Sequence, residues 1–183
     1  MIASTMSRRL CLAGLLAVGV SACATVPASM ASREACDVIL ERDLRGRTYA
    51  KGVFTNSITG STRPFTVVLD GTLRGKTLTL REEFAYADGE RDVKTWVITR
   101  TGPTSYTGTR EDVIGPATVV QDGPIVRLGY EADVATGSGT IRVRFEDVIE
   151  RDTKGVIVNR AIVSKLGVPL GTVDLVFGRR PPR

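Results

Sequence analysis

From Gly46 to Phe177 apolar residues alternate with polar ones at a period of two, and turn-forming residues interrupt the alternation every ~8–12 residues. Phe65, Val67 and Leu69 make one set, and Leu78, Leu80, Phe84 and Tyr86 a second. Trp96 and Ile98, then Ile141, Val143 and Phe145, then Val173, Leu175 and Phe177 continue the series. The residues between them are mostly polar or charged, as with Arg142, Arg144 and Glu146. Such a strand buries one face and wets the other. Reversals are expected at Asn56 to Thr62, Arg74-Gly75-Lys76, Asp88-Gly89, Gly102-Pro103, Gly115-Pro116, Asp122-Gly123, Thr136 to Gly139, Lys154-Gly155 and Gly167-Val168-Pro169. Consecutive hairpins with no helical pattern between them would leave two long bare edges unless the sheet closed on itself. The pattern therefore predicts an all-β fold, a single antiparallel up-and-down barrel of about 8–10 strands. A two-sheet sandwich is the alternative. Ahead of the first strand, Val38, Ile39 and Leu40 lie among charges and predict a short N-terminal helical segment of one or two turns.

The residues before this domain have a different character. Arg8 and Arg9 precede an apolar run from Leu10 to Val20 that ends in small residues, the pattern of a secretory signal. The run is about half of the ~20 residues that a permanent membrane-spanning helix needs. Val20-Ser21-Ala22-Cys23 resembles a bacterial lipobox, in which cleavage before Cys23 is followed by acylation of that residue. Ordinary signal cleavage after Ala24 is the alternative, because Ala22-Cys23-Ala24 has the small-x-small pattern. At about 0.8 kcal/mol per buried methylene, two or three acyl chains would hold the protein to a membrane permanently. The expected division is a lipoprotein signal peptide over 1–22, a lipidated flexible tether over 23–36, small and polar in composition, and a β-barrel domain over 37–183. Ala24 is not the aspartate that commonly retains lipoproteins at the inner membrane, so the expected location is the periplasmic face of the outer membrane.

Composition narrows the function classes. The formal charge of +5 drops by two when Arg8 and Arg9 leave, and the remaining basic residues are scattered among acidic ones, so nucleic acid is not an expected partner. There is no histidine, which removes His-based triads, His-ligated zinc and imidazole bases together. In the lipoprotein reading Cys11 leaves with the signal and Cys23 is acylated, so of the three cysteines Cys36 is expected to have no internal disulfide partner. No metal or cofactor is called for.

Several stretches in order carry a family likeness: Leu78-Thr79-Leu80-Arg81-Glu82-Glu83-Phe84-Ala85-Tyr86-Ala87-Asp88-Gly89-Glu90, the Trp96 to Gly102 strand, Tyr106-Thr107-Gly108-Thr109, Asn159-Arg160-Ala161, and Ser164 to Gly171. Together they resemble the proteobacterial lipoproteins grouped as domain of unknown function 3833. The resemblance implies a lipocalin-like barrel behind a lipobox and favours a lipid ligand, and it implies no activity.

Within the alternation, Glu82 shares parity with Leu78, Leu80, Phe84 and Tyr86 and should face the interior. Arg160 shares parity with Val156, Val158 and Ile162 and should face it too. Two such charges would pair with each other or grip a polar head group at the barrel mouth. Tyr86 and Trp96 are the expected aromatic wall, serving as core or as ligand contacts. Asn159, on the opposite parity, is expected at the surface or in support of a turn. The expected function is binding of a lipid or other apolar small molecule. The alternatives are a His-independent enzyme acting on such a molecule and a purely structural envelope protein.

Overall fold

The computed structural model describes residues 37–182 other than Ser138. The expected signal peptide over 1–22, the expected acylation site Cys23, the expected tether over 23–36 and Cys36 lie outside the described residues. One helical turn, α1 (Leu40–Asp43), precedes ten strands: β1 (Gly46–Asn56), β2 (Thr62–Arg74), β3 (Thr77–Tyr86), β4 (Arg91–Arg100), β5 (Ser105–Thr109), β6 (Ala117–Asp122), β7 (Ile125–Thr136), β8 (Gly139–Arg151), β9 (Ile157–Lys165) and β10 (Val168–Gly178). Each strand pairs antiparallel with its neighbour in sequence, and β1 pairs with β10 to close the barrel. Closure satisfies both edges, which is why the barrel and not the sandwich forms.

The reversals fall where the sequence offers left-handed backbone. At the β9–β10 hairpin, Leu166 (φ 49°) and Gly167 (φ 80°) both adopt it. That is the twist a two-residue hairpin needs, and Leu166 stands 96% exposed at its tip. The turn lies one residue earlier than Gly167-Val168-Pro169 suggested, because Val168 and Pro169 already pair with β9.

The two ends of the barrel differ. At one end α1 packs Val38, Leu40 and Leu44 into the interior against Leu69, Leu78, Leu80, Ile98, Val119 and Val126, and this is where the dense core sits. Polar side chains fix α1 there. The Asp43 carboxylate accepts from the Ile39 N–H at 2.8 Å and pairs with Arg42 and Arg151 at 2.9 Å each. Burial alone would raise the Asp43 carboxyl, but those hydrogen bonds and charges outweigh it and hold the group below its usual range. Glu41 binds Arg100 at 2.7 Å and accepts from the Tyr106 hydroxyl at 3.1 Å. The Val38 N–H donates to the Pro124 carbonyl at 3.0 Å across the β6–β7 turn. The opposite end has no such plug among the described residues.

The wall is irregular at β5 and β6, which have five and six residues against thirteen in β2 and β8. The connection between the two short strands makes up the missing height by running along β7. Val113 bridges to Ala132, the Ile114 N–H donates to the Glu131 carbonyl at 2.8 Å, and the Asp133 N–H donates to the Asp112 carbonyl at 2.9 Å. This segment carries Arg110 and Asp112 to the cavity wall.

Candidate functional site

Between the α1 core and the open end the barrel encloses a cavity of about 760 Å³. Its wall follows from the alternation, since inward positions of β2, β3, β8 and β10 supply Phe65, Phe84, Phe145, Val173 and Leu175. Towards the mouth, Phe65, Phe84 and Tyr86 form a ring cluster with centroids 5.6 to 6.2 Å apart. The Arg63 guanidinium lies 3.9 Å from the Tyr86 ring and pairs with Asp88 at 2.7 Å and with Glu90.

Deeper in, one polar cluster interrupts the apolar wall. Glu82 on β3 faces Lys94 on β4 in register. Arg110 binds the Asp112 carboxylate through two nitrogens at 2.7 and 3.2 Å, with Glu82 at 3.8 Å. Lys94 binds Asp112 at 2.8 Å and Asp92 at 3.0 Å. The Arg110 guanidinium lies 4.7 Å from the Trp96 ring centroid and 5.4 Å from that of Tyr130. Tyr130 meets Trp96 edge-on at 5.1 Å and stacks on Phe145 at 4.9 Å. Beside them the Asn159 amide donates to Asp147 Oδ1 at 2.7 Å. Asp147 Oδ2 and Asn159 Oδ1 are buried without a hydrogen-bond partner.

Burial sets the protonation of this cluster. It pushes the Glu82 carboxyl up to about 7, with Asp147 and Asp112 adding to the shift and Arg110 and Lys94 opposing it. It pushes Asp147 up to about 6 against the pull of Asn159, Arg110 and Tyr130. Burial also raises the Tyr130 phenol well above its ordinary value, with Asp147 adding. Asp112 goes the other way, because Arg110 and Lys94 outweigh the cost of burying its charge.

Of the residues singled out from the sequence, Glu82, Tyr86 and Trp96 stand on the cavity wall. Arg160 does not. Its side chain is 67% exposed on the outer face, 3.4 Å from Glu150 and 3.8 Å from Asp174, so the pairing with Glu82 is not formed. Both parities of β9 carry apolar residues, and the register with β8 and β10 decides between them: Arg160 lies beside Val148 and Asp174, while Asn159, Ala161 and Val163 line the cavity. Asn159, expected at the surface, is thus an interior residue. Asp147 was legible one step beyond Ile141, Val143 and Phe145 in the β8 alternation, and Lys94 one step before Trp96. Arg110 and Asp112 lie on a connection, where period two says nothing.

The family profile "Protein of unknown function (DUF3833)" matches residues 17–179. The chain belongs to the DUF3833 family. No curated protein sequence matches it. Among solved structures this DUF3833 barrel is similar to an S-type phycobiliprotein lyase, CPES, from Guillardia theta, with a TM-score of 0.54 and 12% identity over 76% of this chain and 89% of that one. It also matches a structure titled EF1p2_mFAP2b bound to DFHBI, with a TM-score of 0.37 and 12% identity over 75% of this chain and 98% of that one. The likeness to the lyase is one of fold. No group of three or more potential metal ligands occurs among the described residues of this family member.

Proposed function

We propose that this protein binds one small, largely apolar molecule inside its barrel while anchored by acyl chains on Cys23 to the periplasmic face of the outer membrane. The observation that carries the binding reading is the cavity of about 760 Å³, largely apolar in its depth except for one polar cluster. Ligand pockets commonly hold ~300–1,000 Å³ and use a few convergent polar groups to orient an otherwise apolar guest. A barrel with a purely structural role gains nothing from a hollow interior, since unfilled volume forfeits packing energy. Glu82, Tyr86 and Trp96 are the proposed contacts named by the sequence, joined by Tyr130, Asp147 and Asn159.

The test is native mass spectrometry of the protein purified from its own envelope, together with titration of the neutral dye N-phenyl-1-naphthylamine. A single bound small molecule and saturable dye fluorescence at one site per chain are expected. Ala161→Phe, which projects a ring into the cavity from β9, should abolish both while the barrel still melts cooperatively. A ligand-free protein that leaves the dye dark overturns the binding reading.

The anchoring reading has its own test. Cys23→Ser should release the protein into the soluble periplasmic fraction and end incorporation of labelled palmitate. Unchanged membrane fractionation and labelling would remove Cys23 from that role.

A further inference from the structure

The inner polar cluster contains more acid than base. Glu82, Asp112 and Asp147 face inward with Asp92 nearer the mouth, against Arg110 and Lys94. Both cations are already engaged. Arg110 spends two donors on Asp112 and has Glu82 at 3.8 Å, and Lys94 lies between Asp112 and Asp92. Asp147 has no ion pair among the described residues although it is only 7% exposed. Of the three buried side-chain polar atoms without a hydrogen-bond partner among the described residues, Arg151 Nε belongs to the α1 end, while Asp147 Oδ2 and Asn159 Oδ1 belong to adjoining residues of the cavity wall, where the Tyr130 hydroxyl also bears on Asp147; an amide oxygen only accepts. An anionic head group would meet two cations already ion-paired, carboxylates in excess of them, and acceptors waiting. A head group that donates hydrogen bonds and carries positive charge would satisfy the orphaned acceptors and balance the surplus carboxylates.

Resting on the binding reading above, we infer that the ligand is an apolar molecule ending in an ammonium group, with that end held by Asp147, Asn159 and Glu82. Its N–H donors meet Asp147 Oδ2 and Asn159 Oδ1, its charge is shared with Glu82, and its apolar body runs past Trp96 and Phe145 towards the mouth. The site thereby rejects fatty acids of the same length.

The reading has a signature in proton uptake. Burial raises the Glu82 and Asp147 carboxyls towards neutrality, to about 7 and about 6. The groups that face Glu82 are Arg110 and Asp112 from the β5–β6 connection, Lys94 from β4 and Asp147 from β8. Those that face Asp147 are Asn159 from β9, Tyr130 from β7 and Arg110. An arriving ammonium favours both carboxylates, so binding expels protons and tightens as pH rises from about 5.5 to 7.5, by up to roughly tenfold per pH unit for each proton released. An alkylcarboxylate, which needs those protons retained, has the opposite slope.

Competition against N-phenyl-1-naphthylamine decides the matter, using dodecylamine, dodecanol and dodecanoate below their micellar concentrations between pH 5.5 and 8. At pH 7.5 dodecylamine should displace the dye at least about tenfold more tightly than dodecanoate, with dodecanol between them. Asp147→Asn should still bind the dye but lose most of the preference for the amine. Glu82→Gln should flatten the pH slope, and it serves as the second variant if Asp147→Asn does not fold. Dodecanoate equal to or better than dodecylamine, or amine and alcohol indistinguishable, overturns the head-group inference and leaves the cavity reading standing. Failure of all three compounds and of the dye overturns both.

Discussion

Glu82→Gln should raise the melting temperature at pH 8 and leave it almost unchanged at pH 4. Burial lifts the Glu82 carboxyl from 4.5 to about 7, so the folded chain holds this proton more tightly than the unfolded one. The stabilisation is complete below the unfolded value and is lost as pH rises through about 7, because the buried group must then ionise. The shift corresponds to about 3 kcal/mol at pH 8, an upper bound since the side chain still touches the cavity. Glutamine keeps the shape and cannot ionise, so it recovers that cost, or roughly 5–10 °C for a domain of this size. Asp147→Asn should behave alike, with its change centred near pH 6. Calorimetric melts at pH 4, 6 and 8 check this. A variant less stable than the parent at pH 8 would mean that the attraction to Arg110 exceeds the cost of burying the charge. A gain in stability at the expense of amine binding would mark Glu82 as a residue kept for its ligand.

The second large effect is expected at Gly71. A Cβ there would lie 1.8 Å from the Leu44 carbonyl oxygen and 2.9 Å from its carbon, both backbone atoms that no rotamer change relieves. Gly71→Ala must therefore lift α1 from the floor and loosen Val38, Leu40 and Leu44 with it. A loss of about 3 kcal/mol or more in urea unfolding follows, with protease cleavage appearing near residue 40. Gly123→Ala is the control. Its Cβ meets nothing within 4 Å, so only the left-handed backbone at φ 58° is penalised, by about 1–2 kcal/mol. Equal costs at the two positions would mean that α1 does not rest on β2 as tightly as described.

Most of the barrel was legible because period two and turn chemistry are local properties of the chain. Every strand read from clean alternation exists, with its apolar set facing inward, and Glu82 and Trp96 stand on the wall where parity put them. The reading of β9 failed for a definite reason. Ile157, Ala161 and Val163 on one parity and Val158 and Ile162 on the other give no local preference. Only the register to β8 and β10, a non-local property, sends Arg160 out to Asp174 and brings Asn159 in to Asp147. Arg110 and Asp112 were beyond reach for a related reason. Their inward placement depends on β5 and β6 being too short to complete the wall, and on a connection recruited to finish it.

Closure by β1 and β10 also dictates an order of events. Nine of the ten strand contacts join sequence neighbours and form as hairpins, each closing a short loop at small entropic cost. The tenth joins Tyr49 to Gly178 and can form only when nearly the whole chain has collapsed. Until then the growing sheet carries two bare edges, the state in which β proteins aggregate. Arg179 is the latch that ends this exposure. From one end of the domain it donates to the carbonyls of Asp43 and Arg45 at 2.9 and 3.0 Å and to the Thr48 hydroxyl at 3.0 Å, linking residues as many as 136 positions apart. How long a newly made chain remains an open, sticky sheet is thus governed by its last strand and the arginine behind it.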